Sequence, residues 1–138
     1  AWVDIWSLGG LYTPIFAQYV TGSLEYQFGF DASGHLMFYM YSSGYTSNVI
    51  STETVSPGSF VHAGVIQSAA GTTKLYLNGV ETGYSSTTSA TIPNLAAALT
   101  IGKRNTIFSN IYLDELVILK GKVSAIGELY SPYRRFIA

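Results

Sequence analysis

The chain has 138 residues, no Cys, a net charge of −1 at pH 7 and only 11% charged residues. This length suits one domain with a two-layer core, and the absence of Cys excludes disulfides. The small charge offers no basic surface for nucleic acid, and no apolar run approaches the ~20 residues of a membrane-spanning helix. Neither nucleic-acid binding nor membrane insertion is therefore expected.

Alternation of apolar and polar residues predicts short β-strands along most of the chain. The predicted strands cover residues 2–8, 14–20, 24–30, 35–41, 49–54, 60–67, 74–77, 80–84, 99–101 and 111–119. A short helical turn is predicted over residues 124–130, with Ser124 as its N-cap. The pattern indicates an all-β fold, a sandwich of two antiparallel sheets.

Two hairpins stand out in the pattern. The turn Asp31–Gly34 joins two strands whose apolar residues alternate, and Asn78-Gly79 joins the next pair. An Asn-Gly dipeptide between β-type residues is a strong hairpin signal, because a type I′ turn needs two residues at positive φ. The apolar positions of these and the later strands are expected to line the core: Leu24, Tyr26, Phe28, Leu36, Phe38, Val65, Leu75, Leu77, Ile101, Leu113 and Val117.

The C-terminal half carries three phrases in a fixed order: KLYLNGVETG (residues 74–83), ALTIGKRN (98–105) and IYLDELVIL (111–119). These phrases resemble the LamG-like, concanavalin A-like jelly-roll family, whose pattern reads "klYvNGvev … ltiG … iDEvriy". Ala1-Trp2-Val3 and residues 60–65 also resemble family motifs. The resemblance implies one jelly-roll domain over residues 1–138 and a non-catalytic module that binds glycans or mediates adhesion.

The family's first strands, upstream of its "aWv" motif, have no counterpart in this sequence. We therefore expect the sequence to be a segment of a longer chain. The strand near Ala1–Trp6 is then expected to be an open edge, at which a second copy or another protein could pair.

The carboxylates do not suggest catalysis. Glycoside hydrolysis needs two carboxylates about 5 to 10 Å apart, but adjacent strand residues such as Asp114 and Glu115 point to opposite faces. The other acidic residues are isolated in the sequence. We expect no enzymatic activity, and a structural role for Asp114 and Glu115, capping backbone amides or pairing with Lys103 or Arg104.

Metal binding has little support. The two histidines, His35 and His62, lack a carboxylate spaced to complete a ligand set, and transition metals are not expected. Many members of the resembled family hold one Ca²⁺ through Asp, Asn and backbone oxygens, so Ca²⁺ stays open as a cofactor. The candidate ligands are Asp4, Asp31 and Asn105.

Tyrosine supplies the remaining functional signal, because its ring can contact a sugar and its hydroxyl can hydrogen-bond to it. Tyrosines in loops or on polar strand faces are Tyr12, Tyr19, Tyr39, Tyr41, Tyr45, Tyr84 and Tyr112. The predicted contact residues are Tyr41, Tyr45, Asn48, Tyr84 and Asn105. They predict a recognition module outside the cell, on a cell or virion surface, whose partner is a glycan. The alternative is a structural or assembly domain, such as a virion decoration or tail-fibre module or part of a bacterial surface protein, that contacts other proteins.

Overall fold

A computed structural model describes residues 1–20, 23–42, 45–67, 72–85 and 96–119. Every regular element in these ranges is a β-strand, as expected from the alternating sequence. The strands, in chain order, are β1 (Trp2–Ser7), β2 (Tyr12–Val20), β3 (Ser23–Asp31), β4 (His35–Ser42), β5 (Tyr45–Thr54), β6 (Phe60–Gln67), β7 (Thr73–Leu77), β8 (Val80–Thr82), β9 (Tyr84–Ser85), β10 (Leu99–Ile101), β11 (Lys103–Arg104), β12 (Ile107–Phe108) and β13 (Asn110–Asp114).

The strands form two main antiparallel sheets. One sheet has five strands in the order β13-β1-β6-β7-β8, and the other has six in the order β10-β2-β3-β4-β5-β9. Strands β11 and β12 make a small separate ribbon. The predicted all-β sandwich is confirmed, while the helical turn predicted over residues 124–130 lies outside the described residues. No helix long and apolar enough to cross a membrane occurs in the described ranges.

Both predicted hairpins form. Strands β7 and β8 pair across Asn78 and Gly79, whose φ angles are 51° and 82°, as the type I′ turn requires. Asn78 also ties the turn to β6, since its Oδ1 accepts from the His62 amide at 2.9 Å and its own amide donates to the His62 carbonyl at 2.8 Å. Asparagine therefore suits position 78 by its backbone freedom and by its side chain.

The core lies between the two sheets and is built from alternate residues of the long strands. Its fully buried large side chains include Ile5, Ile15, Phe28, Phe30 and Leu36. The expectation is confirmed for the buried Phe28, Leu36, Phe38 and Leu75, and for Tyr26, Val65, Leu77 and Leu113, which are partly buried against the same cluster. The side chain of Leu24 lies outside the described part of the chain.

Two core predictions are wrong. Ile101 is 58% exposed because it ends β10, a three-residue strand at the edge of the described six-stranded sheet. Val117 is 54% exposed because β13 ends at Asp114, well before the predicted Leu119. Glu115 has a φ of 48°, which turns the backbone out of the extended conformation.

The first strand is not an open edge, contrary to expectation. β1 pairs with β6 on one side and with β13 on the other, with Trp2 opposite His62 and Asp114. The strands that flank the described five-stranded sheet are β13 and β8. Strand β13 takes the place beside β1 that was expected to be open.

Candidate functional site

Four of the five predicted contact residues lie on neighbouring strands of the six-stranded sheet, whereas Asn105 lies on the ribbon that contacts β2, toward the other side of this sheet. Tyr41 is in β4 and Asn48 is in β5, two strands that pair directly. Tyr45 begins β5, and Tyr84 in β9 pairs with Ile50, but the side chains of Tyr45 and Tyr84 lie outside the described part of the chain. Asn105 lies in the turn between β11 and β12, exposed and with a φ of 53°.

Strand register places a row of four residues, three of them polar, across the outer face of this sheet, and we call it the polar row. Ala17 pairs with Gln27, Gln27 with Tyr39, and Tyr39 with Asn48. Their sequence neighbours Phe28 and Phe38 are core residues. Since successive side chains alternate between faces, the row lies on the side away from the core. Tyr41 follows Tyr39 on the same face and is 38% exposed.

Gln27 is the unusual member of this row. It has no exposed surface, and neither its Oε1 nor its Nε2 has a hydrogen-bond partner. An unsatisfied buried polar group costs about 1 to 3 kcal/mol, so such groups call for an explanation. A primary amide can both donate and accept, which matches the bonding capacity of a hydroxyl group.

Arg104 adds a second buried donor beside β2. Its guanidinium carbon lies 4.7 Å from the centre of the Tyr12 ring and 5.7 Å from that of Tyr19. These distances fit cation–π contacts, which fix the guanidinium against the sheet. Arg104 Nη1 is buried and makes no hydrogen bond. Tyr19 is two residues from Ala17, the β2 member of the polar row.

The arrangement combines aromatic rings with hydrogen-bond donors and hydrogen-bond acceptors. Tyr39 and Asn48 are half-buried, and Gln27 lies beneath the surface that they share. Rings offer apolar faces to the C–H groups of a sugar, and amides and guanidinium offer bonds to its oxygens. Chemically, this face suits a neutral polyhydroxylated ligand.

The candidate Ca²⁺ ligands lie on three different elements. Asp4 is in the middle of β1, and Asn105 lies in the turn after β11. Asp31 Oδ1 accepts from the amides of Ser33 and His35 at 2.9 Å, and its Oδ2 lies 3.0 Å from His35 Nδ1. These bonds give Asp31 a role in closing the β3–β4 hairpin. Within the described ranges, no group of three or more His, Cys, Asp or Glu side chains could hold a metal ion.

Among the acidic residues, Asp114 lies as expected, whereas Asp4 does not. Asp114 Oδ1 accepts from the Glu115 amide at 2.8 Å, which confirms the predicted capping role. Lys103 and Arg104 instead contact aromatic rings. Asp4, however, is not isolated, because it shares the outer face of the five-stranded sheet with Asp114, on a diagonal of the β1–β13 pairing. Diagonal side chains of this kind start roughly 7 to 8 Å apart.

Sequence reasoning missed Gln27 and Arg104 as site residues. Alternation places Gln27 on the polar face of β3, but nothing in the sequence shows that its amide is buried there. The position of Arg104 depends on how the β11–β12 ribbon lies against β2. Tyr39, Tyr12 and Tyr19 did belong to the wider tyrosine set.

The antiparallel two-sheet sandwich is consistent with the concanavalin A-like class of β-sandwich proteins. Residues 1–125 match the family model described as the concanavalin A-like lectin/glucanases superfamily, and the chain belongs to this family. Searches among curated proteins and among solved structures found no significant match. Membership supports a module of carbohydrate-binding or adhesion type.

Proposed function

We propose that this domain is a non-catalytic recognition module that binds a glycan on the outer face of its six-stranded sheet. The observation that carries the proposal is the fully buried, unpaired amide of Gln27, in register with Tyr39 and Asn48. A ligand hydroxyl would satisfy the amide either through a bridging water or after the covering side chains shift. We place the module outside the cell, on a cell or virion surface.

A glycan array probed with the labelled domain is the first test, followed by calorimetry with any bound sugar. Tyr41→Ala and Asn48→Ala should each weaken binding by about 1 to 2 kcal/mol, the order expected for one aromatic or hydrogen-bonding contact. Leu99→Ala and Asn110→Ala are matched controls, because both residues are exposed and outside the polar row. If no glycan on the array binds the domain, or if the control substitutions weaken binding equally, this assignment is refuted.

The absence of catalysis is part of the proposal and has its own test. Asp4 and Asp114 share a face, so polysaccharide hydrolysis should be measured directly, with Asp4→Asn and Asp114→Asn alongside. We expect no turnover, because Asp114 is engaged with the backbone at the end of β13. Turnover that either substitution abolishes would make the domain a glycosidase.

The alternative is a structural or assembly domain that contacts other proteins. One observation favours it: Trp6, Phe60 and Tyr112 in the five-stranded sheet expose 63%, 53% and 62% of their surface. Large exposed rings are common in protein contacts. Light scattering on the isolated domain would show self-association directly. A monomer that binds a glycan would favour the first function over this one.

A further inference from the structure

The outer face of the five-stranded sheet surrounds one carboxylate with four aromatic side chains. Along β1, Trp2, Asp4 and Trp6 alternate with the core residues of that strand. Across the sheet, Asp4 lies in register with Phe60 of β6 on one side and Tyr112 of β13 on the other. Asp4 therefore has a ring before it, a ring after it and a ring on each side.

Ring contacts organise these side chains into two pairs. Trp2 stacks on Phe60 with centroids 5.1 Å apart and planes 13° apart. Trp6 meets Tyr112 edge-on at 5.9 Å. Because each cross-strand ring packs against a tryptophan, the rings of Phe60 and Tyr112 are held as opposing walls. Between them lies a shallow cavity of about 310 Å³. Its lining residues are Asp4, Phe60, Tyr112, Leu113 and Asp114.

The width of this cavity follows from sheet geometry. Neighbouring strands are about 4.8 Å apart, so the side chains of Phe60 and Tyr112 start roughly 9 to 10 Å apart with Asp4 between them. A group held midway would lie about 5 Å from each wall. That distance is within the roughly 6 Å over which a cation is attracted to an aromatic ring.

The charge of the cavity is negative and uncompensated. In the described part of the chain, no hydrogen bond or ion pair involves the Asp4 carboxylate, although Asp4 is half-buried. Asp114 brings a second carboxylate to the rim. Aromatic faces are themselves electron-rich and do not stabilise a neighbouring anion. Carboxylates and ring faces share one complementary ligand, a cation.

The character of that cation is set by the walls. A hard metal ion needs six or more oxygen ligands, and the lining has only two carboxylates. Protonated and quaternary amines, in contrast, carry their charge on a partly apolar surface that ring faces bind well. We propose that the cavity over Asp4 binds an ammonium group, with Phe60 and Tyr112 as walls and Asp4 as the counter-ion.

Fluorescence titration of the 138-residue domain tests this directly, since Trp2 and Trp6 are its only tryptophans and both flank Asp4. The probes are choline, Nα-acetyl-lysine amide and glucosamine, which carry the ammonium on a small cation, an amino acid and a sugar. Their ranking distinguishes the sources of the ligand. We expect a saturable change in emission with at least one probe.

Substitutions then assign the signal to the cavity. Asp4→Asn should weaken binding about tenfold or more through loss of the counter-ion, and Tyr112→Ala should weaken it about three- to tenfold. Glu81→Gln is the matched control, because it removes one negative charge from the same sheet at β8, where Glu81 pairs with Lys74. It should leave binding within about twofold. The ammonium probe should also raise the melting temperature of the unsubstituted domain and not that of the Asp4→Asn variant.

A neutral isostere separates charge from shape. The alcohol 3,3-dimethylbutan-1-ol has the outline of choline without its charge, and it should bind at least about tenfold more weakly. Equal binding of the isostere, or unchanged binding by Asp4→Asn, would show an apolar cleft and overturn the proposal. So would the absence of saturation with all three probes. Because this cavity and Gln27 lie on different sheets, either assignment can fail without the other.

Discussion

Replacing Gln27 by Met should stabilise the fold, although Gln27 lies at the proposed glycan site. Met has nearly the same length and shape as Gln and carries no strongly polar atoms. The substitution would remove an amide whose Oε1 and Nε2 are buried without partners. Relief of an unsatisfied buried group is worth about 1 to 3 kcal/mol, and the free energy of unfolding should rise by that order.

Urea unfolding followed by tryptophan fluorescence measures this change, with an unchanged m-value as the sign that stability alone has altered. Gln18→Met is the matched control, because Gln18 Nε2 donates to the Ala97 carbonyl at 2.5 Å. Loss of that bond should lower stability by about 1 kcal/mol. A Gln27→Met variant that is no more stable than the parent would mean that the amide is hydrogen-bonded in solution, and the reasoning would fail. If the amide serves the glycan, the stabilised variant should bind it more weakly.

Three further predictions concern stability. Burial, with a smaller effect from the positive N-terminus, lowers the pKa of His62 from 6.5 to about 4. Because the unfolded chain then binds the proton more readily than the folded one, the free energy of unfolding should fall by about 2 to 3 kcal/mol between pH 7 and pH 4. The substitution His62→Leu should remove that part of the pH dependence. Asn78→Ala should cost about 1 to 3 kcal/mol in urea unfolding, through strain at positive φ and a lost bond to β6, whereas Asn78→Gly, which relieves the strain, should cost less. Leu36→Ala should cost about 2 to 5 kcal/mol because Leu36 is fully buried; a similar loss for the exposed Leu99→Ala would contradict the core assignment.

Local patterns predicted the hairpins well. Asn78-Gly79 and Asp31–Gly34 carry their turn chemistry in a few neighbouring residues, so the sequence sufficed to locate β3 with β4 and β7 with β8. Predictions failed where distant pairing decides the outcome. Val117 has an apolar neighbourhood, yet β13 ends at Asp114 because the backbone turns at Glu115. Ile101 pairs with the core residue Phe16, yet it is exposed because it ends a three-residue strand at the edge of the described sheet.

The sites were less accessible to sequence reasoning than the fold. The alternation of Trp2, Asp4 and Trp6 is visible in the sequence, but Phe60 and Tyr112 become their neighbours only through strand pairing over tens of residues. Gln27 occupies an expected face, and its burial depends on everything packed above it. The type of a side chain and the face it occupies can be inferred from the local sequence, whereas its burial and its neighbours depend on how the sheets assemble.

The placement of β1 between β6 and β13 also affects how the chain is made. Along the chain, the nearest residue that pairs with β1 is Phe60, and its other partner strand begins at Asn110. At a synthesis rate of about 5 to 20 residues per second, β1 stays unpaired for several seconds before its partner strand is made. During that time its tryptophans and its buried Val3 and Ile5 face water or a chaperone. Folding of the domain should therefore be slow and should begin only late in synthesis, because loop-closure entropy opposes contacts between distant strands. Nascent chains should be prone to aggregation through β1.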